Sequence, residues 1–367
     1  MKTFVIAEAG ANHNRDWDTA IMLIDKAVEA KADAIKFQTY SSETLYRKNT
    51  IDFAGYKNIN QLIKDIELPR HWQKDLKLYC DDNGIEFMST PFDERAVDEL
   101  HSLGVKRLKV AGFESTDPRF VSYVASTGLP LIVSLGIGST ADSIYRINDS
   151  ILKQNNIDVK NKCDFDLPYD FKEALRKWYK DNMPNVTYLH CNNAYPTPFE
   201  DINLSTLSHF KNRIEWDDSL CNSSYGLSDH TEGILIPPLA VAFGATVIEK
   251  HFTLDKNMRG PDHAFAIEPF ELNNMVKNIR LTEKSLGEKQ CAFTKSELNF
   301  KNACRSIVAK TDIKKGDILT EQNLTTKRPC EESDLPAKYF YKVVGQKASK
   351  CVQKDEPLPL NDYLRKI

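Results

Sequence analysis

Residues 226–253 read GLSDHTEGILIPPLAVAFGATVIEKHFT, and this stretch contains the repeating unit that decides the fold. Two strand-sized apolar runs, 225–230 and 246–251, enclose a segment with a helical pattern. Such an alternation indicates a βαβ unit, in which the two strands are parallel. The runs end on His230 and His251, which are 21 residues apart, so both side chains are expected at equivalent heights on neighbouring strands.

The same alternation extends over most of the chain. Further apolar runs occupy 3–9, 34–38, 86–90, 107–110, 131–136 and 186–191. Helical segments lie between them, with Asp18 as a predicted N-cap and with Gly84 and Gly104 as predicted residues just past two helix ends. This arithmetic predicts an α/β fold of the (β/α)₈ TIM-barrel type. An open doubly wound sheet is disfavoured, because AEAGANHN (7–14) lacks the G-x-G-x-x-G of a dinucleotide fold.

The pattern changes after the last long helical segment. We expect the barrel over 1–286, a linker over 287–300, which has no clear period, and a small all-β domain over 301–367. Within that domain RSIVAK (305–310) and YKVVGQKASK (341–350) are predicted to be strands. A module of about 65 residues is at the limit of what its own core can stabilise, so it is expected to pack on another surface.

Composition excludes several classes of protein. The 367 residues are 41% hydrophobic and 28% charged, with a formal net charge of -3, so there is no general basic surface for nucleic acid. No apolar run approaches the roughly 18 residues of a membrane span, and MKTFVIAEAG turns polar too soon for a signal peptide. We therefore expect a cytoplasmic protein. Its eight cysteines form no C-x-x-C pair and are expected to be reduced thiols.

The paired histidines allow two interpretations. In a barrel, His230 and His251 can place both imidazoles on one divalent ion, with the other ligand positions left to water or substrate. Asp262 could supply a nearby carboxylate, although the spacing does not require it. Alternatively, both histidines are polar residues of the barrel mouth that hydrogen-bond to loops.

Two lysines interrupt apolar strands. Lys36 and Lys109 point into a barrel at high cost unless an anion meets them. They predict a phosphate or carboxylate ligand, steadied by hydroxyls and amides of Thr90, Ser134, Ser228, Asn192 and Asn193. The alternative is buried ion pairing with Glu8 and Glu114.

An acidic set could position or deprotonate hydroxyl groups: Glu8, Glu114 and Asp262. Any one of them could instead be a structural ion-pair partner. Taken together, a pocket with cations, carboxylates, amides and a metal suits the aldol-like joining of an anionic nucleophile to a carbonyl.

Longer strings resemble one enzyme family. IAEAGANHN, IKFQTY, STPF, LHCNNAYPTP, GLSDHT, EKHFT and RGPDH resemble, in order, the sialic acid synthase family, the phosphoenolpyruvate-dependent synthases of nonulosonic acids. RSIVAKTDIKKGDILTEQNLTTKRP resembles the C-terminal antifreeze-like (SAF) domain of that family. The resemblance spans nearly the whole chain.

The resemblance implies a transferase reaction. Phosphoenolpyruvate would condense with the open-chain aldehyde of an N-acylated mannosamine-type sugar and release phosphate by C–O cleavage. The phosphoenolpyruvate ligands would be Lys36, Thr90, Lys109, Ser134, Asn193 and Ser228. His230 and His251 would bind a divalent ion, manganese or alternatively magnesium or cobalt, that polarises the aldehyde. Contacts to the acceptor would come from Glu8, Tyr195 and Asp262, and Glu114 would act on the attacking water.

The resemblance also implies a domain-swapped homodimer, in which the small domain covers the partner's barrel mouth and delivers Arg328 to it. Four positions depart from the family pattern: Arg15, Gly112, Leu135 and Asn302. Gly112 stands where many members have a serine that contacts the anion, and the segment 141–185 is longer than expected.

The acceptor sugar stays open from sequence. N-acetylmannosamine, its 6-phosphate and a 2,4-diacetamido-trideoxyhexose all remain candidates. Two alternative functions also remain: a Schiff-base aldolase that uses Lys36 or Lys109 as its nucleophile, and a non-catalytic sugar-binding barrel.

Overall fold

The computed structural model describes residues 2–48, 50, 52–53, 56–137, 141–154, 184–216, 220–287 and 293–363. The chain divides into two compact units, Met1–Gly287 and Glu288–Ile367.

The first unit is built on one parallel sheet of eight strands. These are β1 (Phe4–Gly10), β2 (Ala34–Thr39), β5 (Glu86–Pro91), β6 (Leu108–Val110), β7 (Leu131–Leu135), β8 (Val186–Cys191), β9 (Ser223–Asp229) and β10 (Val247–His251). Their order is β5-β2-β1-β10-β9-β8-β7-β6, and the two end strands β5 and β6 lie beside one another, so the sheet is a nearly closed barrel. The predicted TIM-barrel class is confirmed, because each predicted apolar run coincides with one strand to within two residues at either end. A two-stranded hairpin, β3 (Asp52–Phe53) and β4 (Tyr56–Lys57), lies between β2 and β5.

Helices follow most strands of the barrel. They are α1 (Trp17–Glu29), α2 (Ile59–Ile66), α3 (Trp72–Asp82), α4 (Glu94–Ser102), α5 (Pro118–Ala125), α6 (Ala141–Gln154), α7 (Thr206–Trp216), α8 (Ile236–Ala242) and α9 (Pro269–Leu286). Short 3₁₀ helices cover Glu114–Thr116 and Phe199–Asp201. The segment 141–185 was noted as longer than expected. Only α6 and residues 184–185 of it are described, since 155–183 lie outside the described residues.

Helix ends follow the expected chemistry with one correction. Gly84 and Gly104 have φ values of +72° and +71°, the left-handed conformation that ends α3 and α4. The predicted N-cap Asp18 is wrong: α1 is capped by Asp16, whose carboxylate accepts from the backbone N–H of Thr19 at 2.8 Å. The helix begins two residues earlier than the apolar period suggested, because Trp17 already packs against the core.

Alternating strand residues separate two apolar layers. Ile6, Ala34, Met88, Ile132, Leu189 and Val247 fill the barrel interior below the site. Neighbouring strand residues such as Val5, Ala7 and Ile35 face outward and pack against the helices. The next inward positions toward the carboxyl ends, including Glu8 and Lys36, are polar and buried, which is the arrangement that places a site at this face.

His13 couples stability of the barrel to pH. It follows β1, its ring is buried beside Phe37 and Trp72, and its Nδ1 accepts from the backbone N–H of Arg15 at 2.9 Å. Burial, with a smaller contribution from the positive charge of Arg15, lowers the His13 pKa from 6.5 to about 4. The unfolded chain therefore takes up a proton in this range that the folded chain does not, and stability falls as pH decreases from 6.5 towards 4.

We expect the His13→Gln variant to lose part of this pH dependence. The thermal midpoint of the wild type should fall more steeply between pH 6.5 and 4.5 than that of the variant, by an amount equivalent to at most about 3 kcal/mol. His101→Gln, at an exposed position, is the control. Equal slopes for the wild type and His13→Gln would contradict this account.

The second unit has its own small core. β11 (Ser306–Ala309) pairs antiparallel with β12 (Leu324–Lys327), and isolated bridges such as Ile313 with Val352 extend the β structure. The short helices are α10 (Phe340–Val343), α11 (Leu360–Tyr363) and two 3₁₀ helices, Leu298–Ala303 and Ala337–Tyr339. Its apolar core contains Ile307, Leu319, Leu335, Val343, Val352, Leu358 and Tyr363 among others.

The small β domain is thus confirmed in class, but one predicted strand is wrong. The start of YKVVGQKASK (341–350) belongs to α10, which ends before Gly345 with φ of +87°. The apolar pair Val343 and Val344 suggested a strand, but a single helical turn suffices to bury Val343.

Six of the eight cysteines lie in the described part of the chain, at positions 80, 191, 221, 304, 330 and 351, and no disulfide bond joins any two of them. Positions 163 and 291 lie outside the described residues. Among the helices described, none is both long and apolar enough to cross a membrane.

Candidate active site

A cavity of about 410 Å³ opens at the carboxyl ends of the barrel strands. Of the site residues predicted in the first unit, Asn192 does not line the cavity, since its side chain bonds to the backbone of Asp201 and Ala194. All the others do: Glu8, Lys36, Thr90, Lys109, Glu114, Ser134, Asn193, Tyr195, Ser228, His230, His251 and Asp262. These side chains, which were singled out from the sequence, therefore surround one cavity.

Lys36 is held by a carboxylate and a hydroxyl. Its Nζ lies 2.8 Å from Glu8 Oε2 and donates to Thr90 Oγ1 at 2.8 Å. Burial disfavours the ammonium, but the charges of Glu249 and Glu8 outweigh it and raise the pKa of Lys36. Lys36 is therefore charged at neutral pH, and the alternative of ion pairing with Glu8 is realised at this position.

Lys109 is held differently. Its Nζ donates to Ser134 Oγ at 2.7 Å and to the backbone oxygen of Val110 at 3.1 Å, and Glu249 Oε1 is 3.8 Å away. Burial lowers the pKa of Lys109, and the positive charge of Lys36 adds to that effect. The alternative of ion pairing with Glu114 is not found as a direct contact of Lys109 among the described residues, so Lys109 is the less neutralised of the two ammonium groups.

Glu249 is the principal site residue that sequence reasoning missed. Its carboxylate lies between the two lysines, 3.7 Å from Lys36 Nζ and 3.8 Å from Lys109 Nζ, and it accepts from Ser228 Oγ at 3.0 Å. Burial would raise its pKa, but Lys109 and Lys36 together lower it, so Glu249 is ionised. Its position in the site could have been predicted from the sequence, because Glu249 is two residues before His251 and therefore lies on the same face of the strand.

The intervening residues face the other way. Lys250 and Asp229 are buried on the outer side of the barrel, where Lys250 Nζ donates to Asp229 Oδ2 at 2.7 Å and also to the backbone oxygen of Thr231. Asp229 in turn accepts from the backbone N–H and hydroxyl of Thr231. This buried pair joins the ends of β9 and β10 directly beside the two site histidines.

His230 and His251 converge as their spacing suggested. Their ring centroids are 5.3 Å apart, and both rings contact Tyr195, whose centroid is 4.2 Å from that of His230. Burial lowers the pKa of His230 to about 4, and burial together with the charge of a protonated His230 lowers that of His251 well below 6.5. Both imidazoles are thus neutral at pH 7.

The donor chemistry of this pair fits a divalent ion. His230 Nδ1 lies 2.6 Å from the backbone oxygen of Asn192, which makes it the protonated nitrogen and leaves Nε2 with a lone pair. Within the described part of the chain, His251 Nδ1 is buried without a hydrogen-bond partner, and Asp262 Oδ2 is 3.8 Å from it. No described group of three or more His, Cys, Asp or Glu residues forms a complete ligand set. Water or substrate would therefore have to complete the coordination.

Three carboxyl groups of the cavity have raised pKa values. Burial raises the pKa of Glu8 to about 7 and that of Asp262 to about 6, in both cases against the opposing charge of Lys36. Burial also raises the pKa of Glu114. Carboxyl groups with pKa values near neutrality can exchange protons during turnover.

The side chain of Asn193 packs closely against two glycines, Gly112 and Gly136. A Cβ at Gly136 would lie 1.6 Å from Asn193 Oδ1, and one at Gly112 would lie 3.1 Å from the same atom. The amide oxygen also accepts from the backbone N–H of Ile137 at 3.1 Å. Gly112, which departs from the family pattern, thus packs against Asn193, a residue that is predicted to bind the anion.

We expect Gly136→Ala to impair the site while leaving the fold intact. The new methyl group must displace the Asn193 amide, and losing one amide hydrogen bond to a charged ligand lowers kcat/KM by about 10- to 100-fold. Gly112→Ala should lower kcat/KM less, because its new methyl group would lie 3.1 Å from Asn193 Oδ1 instead of 1.6 Å. Adding Asn193→Ala to Gly136→Ala should cost no more than Asn193→Ala alone, and full additivity would show that Gly136 acts elsewhere.

Two further departures in the first unit, Leu135 and Arg15, do not line the cavity. Leu135 is buried in the outer core that packs against the helices, so its side chain replaces no site hydroxyl. Arg15 has φ of +57°, a left-handed conformation that glycine adopts most readily, and its guanidinium donates to the backbone oxygen of Lys64. Asn302 is exposed in the second unit and donates to Glu331 Oε2 at 3.2 Å.

Arg328 lies in the second unit, directly after β12, and is exposed. Within the described residues, no hydrogen bond or ion pair holds its guanidinium.

Comparison with known proteins covers both units. The sequence profile of the NeuB family matches residues 23–291, and that of the SAF domain matches residues 305–364. An N,N'-diacetyllegionaminic acid synthase of Campylobacter jejuni is 36% identical over 97% of this chain and 98% of its own length. The human N-acetylneuraminate-9-phosphate synthase is 31% identical over 97% of this chain and 91% of its own.

A solved structure agrees with the sequence comparison. The N-acetylneuraminic acid synthetase of Leptospira borgpetersenii, crystallised with citrate, matches with a TM-score of 0.66 and 31% identity. The match covers 82% of this chain and 90% of that chain.

Proposed function

Because the chain belongs to the NeuB family and carries a SAF domain, we propose that it is a synthase that condenses phosphoenolpyruvate with the open-chain form of an N-acylated mannosamine-type sugar. The products would be a nonulosonic acid and phosphate. The observation that carries this proposal is that two buried lysines and a pair of neutral histidines line one cavity.

Phosphoenolpyruvate binds at the lysine end of the cavity in this proposal. Lys109 and Lys36 supply the positive charge for its phosphate and carboxylate. The hydroxyls of Thr90, Ser134 and Ser228 already lie within hydrogen-bond range of a lysine or of Glu249 and can turn to the anion. Asn193, packed against its two glycines, would donate its amide. Since neighbouring protein groups hold these side chains in place, binding needs little reorganisation.

The acceptor would lie between the histidines and the acidic residues. His230 and His251 would hold a divalent ion of the manganese type, which when bound supplies Lewis-acid polarisation of the aldehyde oxygen. Tyr195, packed on His230, would limit how the sugar enters. Glu8 and Asp262 would accept hydrogen bonds from sugar hydroxyls or hold the proton that the aldehyde oxygen acquires.

The bonds that change define the remaining roles. C3 of phosphoenolpyruvate bonds to the aldehyde carbon, and the aldehyde oxygen takes a proton to become a hydroxyl. Water then adds to C2, and the C2–O bond breaks to release phosphate and leave a 2-keto acid. Glu114 would take the proton of that water, because its Oε2 is buried and, among the described residues, has no hydrogen-bond partner.

The experiment that tests this proposal is a phosphate-release assay. Turnover should require phosphoenolpyruvate, an N-acylated hexosamine and a divalent ion together, and chelation with EDTA should abolish it. Release without a sugar would indicate a phosphatase, and turnover that survives chelation would remove the metal from the proposal.

A Schiff-base mechanism is the second candidate, because burial lowers the pKa of Lys109 and so favours a nucleophilic amine. Borohydride reduction in the presence of pyruvate distinguishes the two. The condensation proposal expects no covalent adduct, and an adduct on Lys109 or Lys36 would replace it.

We further propose that the active form is a homodimer in which Arg328 reaches the partner's cavity. Arg328→Ala should then lower activity by about tenfold or more without changing the barrel's thermal stability, as for loss of one charged contact to an anion. Mixing Arg328→Ala with a Lys109→Met chain should restore part of the activity, since one site per mixed dimer has both groups. If mixing restores nothing, Arg328 acts within its own chain or not at all.

A further inference from the structure

A buried network of three residues joins the ends of β9 and β10 and has no part in the proposed chemistry. This network, which we call the strand-end network, consists of Asp229, Thr231 and Lys250, each at most 1% exposed. Asp229 Oδ2 accepts from Lys250 Nζ at 2.7 Å, and Oδ1 accepts from the backbone N–H of Thr231 at 3.0 Å and from its hydroxyl at 2.8 Å. Lys250 Nζ also donates to the backbone oxygen of Thr231, which closes the ring of hydrogen bonds.

The strand-end network encloses His230. Asp229 and Thr231 are the neighbours of His230 in the chain, and the carboxylate of Asp229 bridges the turn between them. The backbone register of β9 with β10 ends at the pair Asp229 and Lys250, so His230 lies immediately beyond the end of the ladder. Lys250 Nζ reaches past this end to the backbone of Thr231. The network therefore keeps the two strands joined where their backbone pairing stops.

The second histidine is the next residue after the network on β10. Lys250 directly precedes His251, and the two side chains point to opposite faces of the strand. Within the described part of the chain, His251 Nδ1 has no hydrogen-bond partner, so no hydrogen bond at that atom orients the ring. Holding Lys250 against Asp229 and Thr231 therefore fixes the backbone of His251 relative to that of His230.

Stability alone is a weak explanation for the strand-end network. Burying two charged groups is unfavourable, and apolar side chains of similar volume often stabilise a protein equally well or better. Charge-assisted hydrogen bonds instead add geometric specificity, because they are short and directional. Those of Asp229 and Lys250 hold the ends of two neighbouring strands at a defined distance and orientation.

We propose that Asp229, Thr231 and Lys250 are positioning residues that set the distance and orientation of the two histidine imidazoles for one divalent ion. The network acts through the backbone of His230 and His251 and touches neither the ion nor the substrate. Metal sites require ligand positions that are correct to within about 0.5 Å, so a small relaxation of the strand ends is enough to weaken binding. This inference rests on the proposed metal site and assigns to it residues on the outer side of the barrel.

Removing one charge and removing both are expected to have different effects on stability. Lys250→Met leaves Asp229 as an uncompensated buried carboxylate and should lower the thermal midpoint by roughly 10 °C. Combining it with Asp229→Asn removes both charges and keeps an oxygen for the N–H and hydroxyl of Thr231. The thermal midpoint of the double variant should therefore return most of the way to that of the wild type.

Mn²⁺ binding in the absence of substrate separates positioning from stability. Followed by electron paramagnetic resonance, the affinity of the double variant should be lower by about 10- to 100-fold, as expected when residues that support metal ligands are replaced. Phosphoenolpyruvate affinity, measured by calorimetry without metal, should be unchanged, since Lys36 and Lys109 face the cavity from other strands. Mn²⁺ affinity that recovered together with the thermal midpoint would show a merely structural role.

A second variant decides the question if the double variant folds poorly. Thr231→Val removes the hydroxyl at nearly constant volume and leaves both charges in place. It should lower Mn²⁺ affinity by about three- to tenfold, in line with loss of one hydrogen bond, without a matching fall in the thermal midpoint. Unchanged Mn²⁺ affinity of Thr231→Val would count against the network.

Another ion pair of the barrel supplies the control. Arg107 Nε donates to Glu86 Oε1 at 2.7 Å where β5 and β6 begin, at the amino ends of the strands. The double replacement Glu86→Gln with Arg107→Met makes the same kind of change away from the histidines and should leave Mn²⁺ affinity at the wild-type value.

The outcomes distinguish this inference from the proposed function. Wild-type Mn²⁺ affinity in the Asp229→Asn, Lys250→Met variant would overturn the inference and leave the paired-histidine site intact. An equal loss of affinity in the control pair would also overturn it, because affinity would then follow stability alone. If the wild-type protein itself bound no Mn²⁺, both this inference and the metal role in the proposed function would be wrong.

Discussion

Replacing Lys109 by methionine is expected to lower kcat/KM for phosphoenolpyruvate by about 10²- to 10³-fold or more. The substitution removes one of two ammonium groups for the anion and leaves Glu249 facing the ligand with less neutralisation. Losing one partner of a buried charge pair costs about 3–5 kcal/mol, which corresponds to this range. Steady-state kinetics and phosphoenolpyruvate titration calorimetry measure it.

Lys106→Met is the matched control for that variant. Lys106 is exposed and three residues away in the same segment, so the same chemical change there should leave both kcat/KM and binding near wild-type values. If Lys109→Met bound phosphoenolpyruvate as tightly as the wild type, the assignment of the lysine end of the cavity to the anion would be wrong.

Replacing His251 by glutamine is expected to abolish detectable turnover and to weaken Mn²⁺ binding by at least about 100-fold. Removing one of the two imidazoles takes away half of the ligands that the protein is proposed to supply. Replacing residues that only support metal ligands already lowers metal affinity or activity by about 10- to 100-fold. Mn²⁺ binding can be followed by electron paramagnetic resonance in the absence of substrate, independently of activity.

His190→Asn is the control for His251→Gln. His190 is the penultimate residue of the barrel strand β8, but its side chain faces away from the cavity, with Nε2 2.6 Å from the backbone oxygen of Ile202 and its ring against Phe210. The control should affect stability and leave Mn²⁺ affinity unchanged. Unaltered Mn²⁺ binding by His251→Gln would contradict the paired-histidine site.

Much of this site could be predicted from the alternation of side chains along the strands. Because side chains two residues apart share a face, a polar residue at the carboxyl end of each apolar run was enough to place Lys36, Lys109, His230 and His251 around one cavity. The same rule also contained Glu249, but the charge pairing of the lysines depends on distances across the barrel. Sequence alone could not choose between Glu8, Glu114 and Glu249 as their partners.

Contacts between distant loops account for what could not be predicted. Gly136 and Asn193 follow different strands, and their fit depends on backbone geometry that no local pattern encodes. Arg328 illustrates a different limit, since its predicted role depends on a second chain.

Phosphoenolpyruvate labelled with ¹⁸O at the oxygen that bridges C2 and phosphorus provides the most direct test of the proposed condensation. Incubated with an N-acylated mannosamine-type sugar, Mn²⁺ and the protein, it should yield phosphate that carries the label and a 2-keto acid that does not, as determined by mass spectrometry. Label retained in the organic product would mean that the P–O bond breaks instead, and it would contradict the reaction proposed for this cavity.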